Sequence, residues 1–168
     1  MKRIAIIGPG GAGKSTLARQ IGAKTSLPII HLDAHYWHAG WVEPPKDVWE
    51  QAVRELTQGE SWVMDGNYGG TMELRLAAAD TILFLDLPRT ICLLRVVGRQ
   101  IRYRSRTRPD MAPGCPERLT WFFLRYIWNY RRDRRPGVLE RMQRHAEGQE
   151  LVHLQTPRQV RRFLEALP

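Results

Sequence analysis

Residues 4–16 read IAIIGPGGAGKST, and this stretch decides the fold. Four apolar residues, Ile4 to Ile7, run without alternation into glycines, the pattern of a strand buried on both faces. The turn Gly8-Pro9-Gly10-Gly11-Ala12-Gly13-Lys14-Ser15-Thr16 follows and opens a helical pattern from Lys14 to about Lys24. It fits G-x-x-x-x-G-K-[ST] at Gly8, Gly13, Lys14 and Ser15. Glycines let backbone N–H groups converge on phosphate oxygens, the lysine reaches the outer phosphates, and the hydroxyl ligates magnesium. The expected nucleotide-binding residues are therefore Gly8, Gly10, Gly11, Ala12, Gly13, Lys14, Ser15 and Thr16, with Mg2+ at Ser15.

Outward from this turn, short apolar strands alternate with helical patterns. Strands are expected at Leu27 to Leu32, ending at Asp33, at Ser61 to Met64, stopping at Asp65-Gly66, at Thr81 to Leu85, ending at Asp86, and at Leu151 to Leu154. Helices are expected at 47–58, 73–79, 90–100, 118–133, 137–146 and 158–167; residues 34–45 read as loop and 101–116 as a mobile, basic loop. This alternation predicts a five-stranded parallel sheet covered on both faces, with the strand at 4–7 in the centre between those ending at Asp65 and Asp86.

A chain of 168 residues, 43% apolar and 26% charged, is the size of one globular domain and excludes a disordered or fibrous protein. No apolar run approaches the roughly 20 residues that cross a bilayer. The apolar start is too short for a signal peptide and Cys92 and Cys115 are too few for a disulfide framework, so the reading is a reduced, cytoplasmic protein. The net charge is +9, and its excess sits in one segment: Arg95 to Arg144 holds 14 Arg and no Lys against Asp110, Glu117, Asp133 and Glu140. Arginine forks match phosphate oxygens, so the segment is either a phosphate-binding surface or a solvated basic face.

Magnesium needs a carboxylate at a neighbouring strand end, and Asp65 and Asp86 are the candidates. Asp65 is preferred, because Gly66 beside it permits close backbone approach whereas Leu87 and Pro88 after Asp86 signal a helix start. His31, His35 and His38 are irregularly spaced with no cysteine nearby, so substrate contact or loop packing is preferred over a metal site. The run Trp121, Phe122, Phe123, Tyr126, Trp128 and Tyr130, interleaved with Arg125 and Arg131, reads either as a base-stacking surface or, preferably, as a core helix with its rings inward.

The phosphate loop, Asp65-Gly66, Arg95-Val-Val-Gly-Arg99, the cluster Arg131-Arg-Asp-Arg-Arg135 and Thr156-Pro157 fall in the order that resembles the adenylate kinase-like branch of P-loop kinases, over nearly the whole chain. IHLDAHYWHAGWVEPP (30–45), WVMDGNYGGT (62–71) and RTRPDMAPGCPERL (106–119) resemble the bacterial family named DNA topology modulation proteins, itself adenylate kinase-related. The resemblance implies an α/β P-loop NTPase three-layer sandwich, a single domain over 1–168, with an acceptor-side loop at about 33–60 and an Arg-rich helical lid at about 99–135. It also implies ATP as phosphoryl donor, Arg95 and Arg99 at the nucleotide and lid base, and Arg131, Arg132 or Arg135 neutralising the transferring phosphoryl group. Thr156-Pro157 would lie against adenine.

Adenylate kinases carry acceptor-gripping arginines after the second strand and after Asp-Gly; here those places hold His31, Asp33, His35 and Trp37, then Asn67, Tyr68 and Gly69, which argues against AMP as acceptor. An acid after the second strand is similar to P-loop kinases that phosphorylate a hydroxyl, where a carboxylate takes the proton. Asp33 is accordingly the expected base, the alternative being a turn cap, and Asp33, His35, Asn67, Tyr68 and Arg75 are the expected acceptor side. Two functions follow. One is an ATP- and Mg2+-dependent phosphotransferase acting on a small-molecule hydroxyl or nucleotide-type acceptor, the reading preferred here. The other is a nucleic-acid-binding ATPase whose basic segment lies on DNA.

Overall fold

The computed structural model describes residues 1–167; Pro168, the end of the expected domain, lies outside the described residues. Five strands, β1 (Arg3–Ile7), β2 (Ile29–His31), β3 (Trp62–Asp65), β4 (Thr81–Leu85) and β5 (Glu150–Leu154), form one sheet in the order β2-β3-β1-β4-β5, every pair parallel. The strand at the phosphate loop is central, flanked by those ending at Asp65 and Asp86, as the apolar runs predict. Among the described residues eight α-helices surround the sheet: α1 (Lys14–Thr25), α2 (Leu32–Tyr36), α3 (Lys46–Thr57), α4 (Met72–Ala78), α5 (Arg89–Arg102), α6 (Trp121–Asp133), α7 (Arg135–Arg144) and α8 (Pro157–Ala166), with a short 3-10 turn at Gly69–Thr71.

Alternation along β1 explains the three layers. Ile4 and Ile6 face one side and pack with Leu17 and Ile21 of α1, Val96 of α5 and Ile127 of α6. Ala5 and Ile7 face the other, among Val53 of α3, Leu76 of α4 and Met142 of α7. Successive side chains of a strand point to opposite faces, so a strand covered on both sides must be apolar throughout. None of the described helices is long and apolar enough to cross a membrane.

Two expectations are corrected. The second strand is short, because Ser26 turns with φ 57° and Pro28 has no N–H to donate; pairing starts where Val63 N–H meets the Pro28 carbonyl. Leu32 and Asp33, the expected end of that strand, instead open α2, which continues to Tyr36 in the expected loop, and Leu32 is buried against Gly66. The basic stretch 101–116, expected to be mobile, is packed. Met111, Ala112 and Cys115 form a small core with Trp37 and Trp41, the Gly40 N–H donates to the Gly114 carbonyl at 3.0 Å, and Trp41 Nε1 donates to the Pro116 carbonyl at 3.2 Å. Apolar residues hidden among the arginines, and no helical or strand period, account for the missed packing.

Candidate active site

At the C-terminal edge of the sheet a cavity of about 930 Å3 opens over the loop between β1 and α1. Gly11 and Gly13 adopt φ 77° and 96°, and a Cβ on Gly11 would stand 2.3 Å from the Cys92 carbonyl oxygen, so glycine is required there. The loop is held from outside: Arg95 donates to the Ala12 carbonyl at 2.9 Å, and Asn67 Oδ1 accepts the Gly8 N–H at 3.1 Å while its Nδ2 donates to the Tyr126 hydroxyl at 2.7 Å. Lys14 Nζ donates to the carbonyls of Gly8 and Pro9 at 3.0 and 3.1 Å. Burial lowers the Lys14 pKa, against the pull of Asp65 and Asp33.

Ser15 Oγ donates to Asp65 Oδ2 at 2.7 Å. Parallel register sets His31 opposite Asp65, and the His31 ring nitrogen meets the other carboxylate oxygen. Burial opposes charge on His31, yet the Asp65 hydrogen bond and carboxylate outweigh it and raise the His31 pKa. Hydroxyl and carboxylate oxygens side by side are the hard donors magnesium takes, the remaining positions going to phosphate and water. The donor set of Ser15 and Asp65 thus fits this ion. Asp86 is engaged elsewhere: Oδ2 accepts from Arg135 Nε at 2.7 Å and contacts His153 at 3.0 Å.

Across the cavity stands Asp33, whose Oδ1 accepts the Tyr68 hydroxyl at 2.6 Å. Burial raises the Asp33 pKa, opposed by the Tyr68 hydrogen bond and the Lys14 charge. Tyr68 itself is pushed far above the usual phenol value by burial and by the Asp33 charge, so it stays a donor.

Among solved structures this chain is similar to shikimate kinase from Acinetobacter baumannii in complex with shikimate, at 16% identity, TM-score 0.51, over 98% of this chain and 89% of that one. It is also similar to deoxyadenosine kinase from M. mycoides with bound dCTP, at 13% identity, TM-score 0.52, over 98% and 97%. This is the P-loop kinase fold. No protein-family model matches the chain, and no curated protein matches it.

The P-loop kinase fold gathers some of the expected residues and disperses others. Gly10, Gly11, Gly13, Lys14, Ser15, Thr16, Asp33, Asp65, Asn67, Tyr68, Arg95 and Arg99 line the cavity, and Ala12 is buried beneath it. Arg132 does not join them: its side chain is 75% exposed on the outer face of α6 and bonds Asp133 at 2.6 Å. Arg135 reaches Asp86 instead of the cavity. His35 is exposed on α2 and lines no part of the cavity. Arg75 is fully buried, donating to the carbonyls of Gly66 and Tyr68 at 3.0 and 3.3 Å, and burial pulls its pKa down to about 10. It braces the Gly66–Tyr68 turn from behind and does not line the cavity. Thr156 caps α8, accepting the Gln159 N–H at 3.2 Å, with Pro157 in the first turn; neither lines the cavity.

Arg108, Asp110, Glu117 and Trp41 line the cavity and were not expected there. For Arg108, Asp110 and Glu117 the signal is the block 106–119, where arginines and acids are interspersed with apolar residues; Trp41 comes from the block 30–45.

Proposed function

We propose that this chain, as a single P-loop kinase domain with an acceptor-side loop at about 33–60 and a lid at about 99–135, transfers the γ-phosphate of ATP to the hydroxyl of a small molecule. One observation carries the reading: the Asp33 carboxylate and the Lys14 ammonium face the same cavity, with Tyr68 holding the carboxylate. The likeness to shikimate kinase and to deoxyadenosine kinase supports it, both being enzymes named for hydroxyl-bearing acceptors. So does the resemblance of the sequence blocks to adenylate kinase-related bacterial proteins. Two free, buried cysteines agree with a cytoplasmic place of action.

Phosphoryl transfer asks for position and charge neutralisation more than covalent chemistry. The glycine turn cradles the phosphates through its N–H groups, and Lys14 contributes a cation beneath the outer phosphates. Arg95, Arg99 and Arg108 place guanidinium charge around the transferring group. Asp33 accepts the acceptor hydroxyl proton as the oxygen attacks in line, its raised pKa bringing it closer to working pH. Ser15 and Asp65 would hold Mg2+, which supplies further neutralisation of the phosphate oxygens when bound. The test is acceptor-dependent ADP release across nucleosides, nucleotides, polyols and hydroxy acids, with Asp33→Asn as control. A hydroxyl acceptor whose turnover collapses in that variant is expected; acceptors used equally well by the variant would overturn the role of Asp33.

A second reading, an ATPase acting on DNA, is favoured by one feature of α6. Phe123, Tyr126, Ile127 and Tyr130 turn inward, but Trp121, Arg125, Trp128 and Arg132, spaced four, three and four residues apart, are exposed. Bases stack on such rings, and backbone binding falls steeply with salt, with a log-log slope of about −0.9 per phosphate neutralised. Under the kinase reading DNA binding is lost at near-physiological salt and ATP hydrolysis ignores DNA. Submicromolar affinity there, with DNA-stimulated hydrolysis, would establish the second reading instead.

A further inference from the structure

Arg99, at the end of α5, and Arg108, from the packed segment after it, are brought together by one buried acid. Arg99 Nε donates to Glu117 Oε1 at 2.9 Å and its Nη2 lies 2.8 Å from the same oxygen. Arg108 Nε lies 2.6 Å from Oε2, a charge contact without hydrogen-bond alignment. The Glu117 side chain is 2% exposed, and its backbone is fixed to the same segment, the Glu117 N–H donating to the Arg106 carbonyl at 3.0 Å. Asp110 holds the far side of Arg108, Oδ2 accepting from Nη1 at 2.6 Å.

Two guanidiniums at this separation repel, and a carboxylate with one oxygen for each offsets that repulsion while fixing both forks. Each arginine keeps one terminal nitrogen, Nη1 of Arg99 and Nη2 of Arg108, with no hydrogen bond to the protein among the described residues. Both side chains line the cavity with Lys14 and Asp33. Glu117 lines the same cavity, and its carboxylate oxygens are engaged by the two guanidiniums.

We propose that Glu117 is a positioning residue, setting Arg99 and Arg108 as a matched pair on the γ-phosphate. This rests on the kinase reading above and names what organises its lid. A structural acid would matter equally whatever nucleotide is bound. A positioning acid matters only when the terminal phosphate is present.

The experiment compares affinity for the β,γ-imido analogue of ATP with affinity for ADP, both with magnesium, in the full chain. Glu117→Gln keeps shape and removes charge; it is expected to weaken the analogue about tenfold and ADP less than about twofold, the scale of a charge-assisted hydrogen bond. Glu117→Asp, which keeps the charge, should recover part of the loss. In a background of Arg99→Ala with Arg108→Ala, Glu117→Gln should change neither affinity. Equal losses for both nucleotides, no loss at all, or a loss that persists without the arginines would overturn the proposal. Should Glu117→Gln fail to fold, Glu117→Asp is read alone, and an unchanged analogue-to-ADP ratio overturns it. Lys14→Ala separates the two levels: if that variant binds both nucleotides normally, the kinase reading itself has failed.

Discussion

Ser15 at the start of α1 and Asp65 at the end of β3 share a 2.7 Å hydrogen bond across 50 residues of sequence. Asp86, at the equivalent end of β4, is taken by Arg135 and His153. Asp65→Asn is therefore expected to raise the magnesium concentration needed for half-maximal ATP binding about tenfold or more, and Asp86→Asn to leave it unchanged. A magnesium titration of nucleotide binding in both variants checks this, and the reverse result would move the metal role to Asp86.

Lys14→Ala should lower ATP affinity by about two orders of magnitude, since two or more charge-assisted contacts of the ammonium are lost while the backbone cradle remains. Calorimetric titration measures it. Unchanged affinity would remove nucleotide binding from this loop.

Asp33→Asn should leave ATP affinity within about twofold and lower acceptor turnover by about two to four orders of magnitude. Asp33 works as a base only when ionised, and burial raises its pKa. The rate should therefore climb with pH through a midpoint above the usual carboxylate value. The Tyr68 hydrogen bond lowers that pKa, so Tyr68→Phe should move the midpoint to higher pH. A profile of kcat/KM against pH decides; a midpoint that stays in place in Tyr68→Phe would refute the link.

Arg132→Ala should leave nucleotide binding and turnover within about twofold, because its guanidinium is outward and its bond to Asp133 is a solvent-screened surface ion pair. Arg99→Ala should lower turnover about a hundredfold or more, the scale for removing a donor to developing charge. Steady-state kinetics on the two variants would expose a reversed assignment.

Asp80 ties the chain's start to the sheet: Oδ2 accepts the Lys2 and Arg3 N–H groups at 2.6 and 2.9 Å. Burial alone would raise its pKa, but these bonds and the Thr81 hydroxyl lower it below 3.8. The stabilisation is therefore present above pH 3.8 and is lost as pH falls through the depressed folded value. Asp80→Asn should cost about 1 kcal/mol at neutral pH, with the difference from wild type vanishing in strong acid. Urea unfolding at both pH values tests it; a difference independent of pH would rule out the charge as its source.

The strand order around the phosphate loop and the loop's own residues were legible in the chain, because buried strands and glycine turns are local patterns of period and residue type. Asp33 and Asp65 are legible as acids just after strands, and Arg95 and Arg99 through the resemblance to adenylate kinase-like proteins; all four line the cavity. The same resemblance brings Arg132 and Arg135 into the site, yet both side chains point away from the cavity, as does His35, while Arg75 is buried behind it; a resemblance in motif order does not say which way a helix face turns. α6 shows the difference: its aromatic run divides into inward Phe123 and Tyr126 and outward Trp121 and Trp128. The pairing of Glu117 with Arg99 and Arg108, and the small core joining Trp41 to Cys115, depend on segments separated by tens of residues packing together. Local pattern determined where strands and the phosphate turn form; only tertiary packing decided which arginines face the cavity, because that choice is made by distant partners competing for each guanidinium.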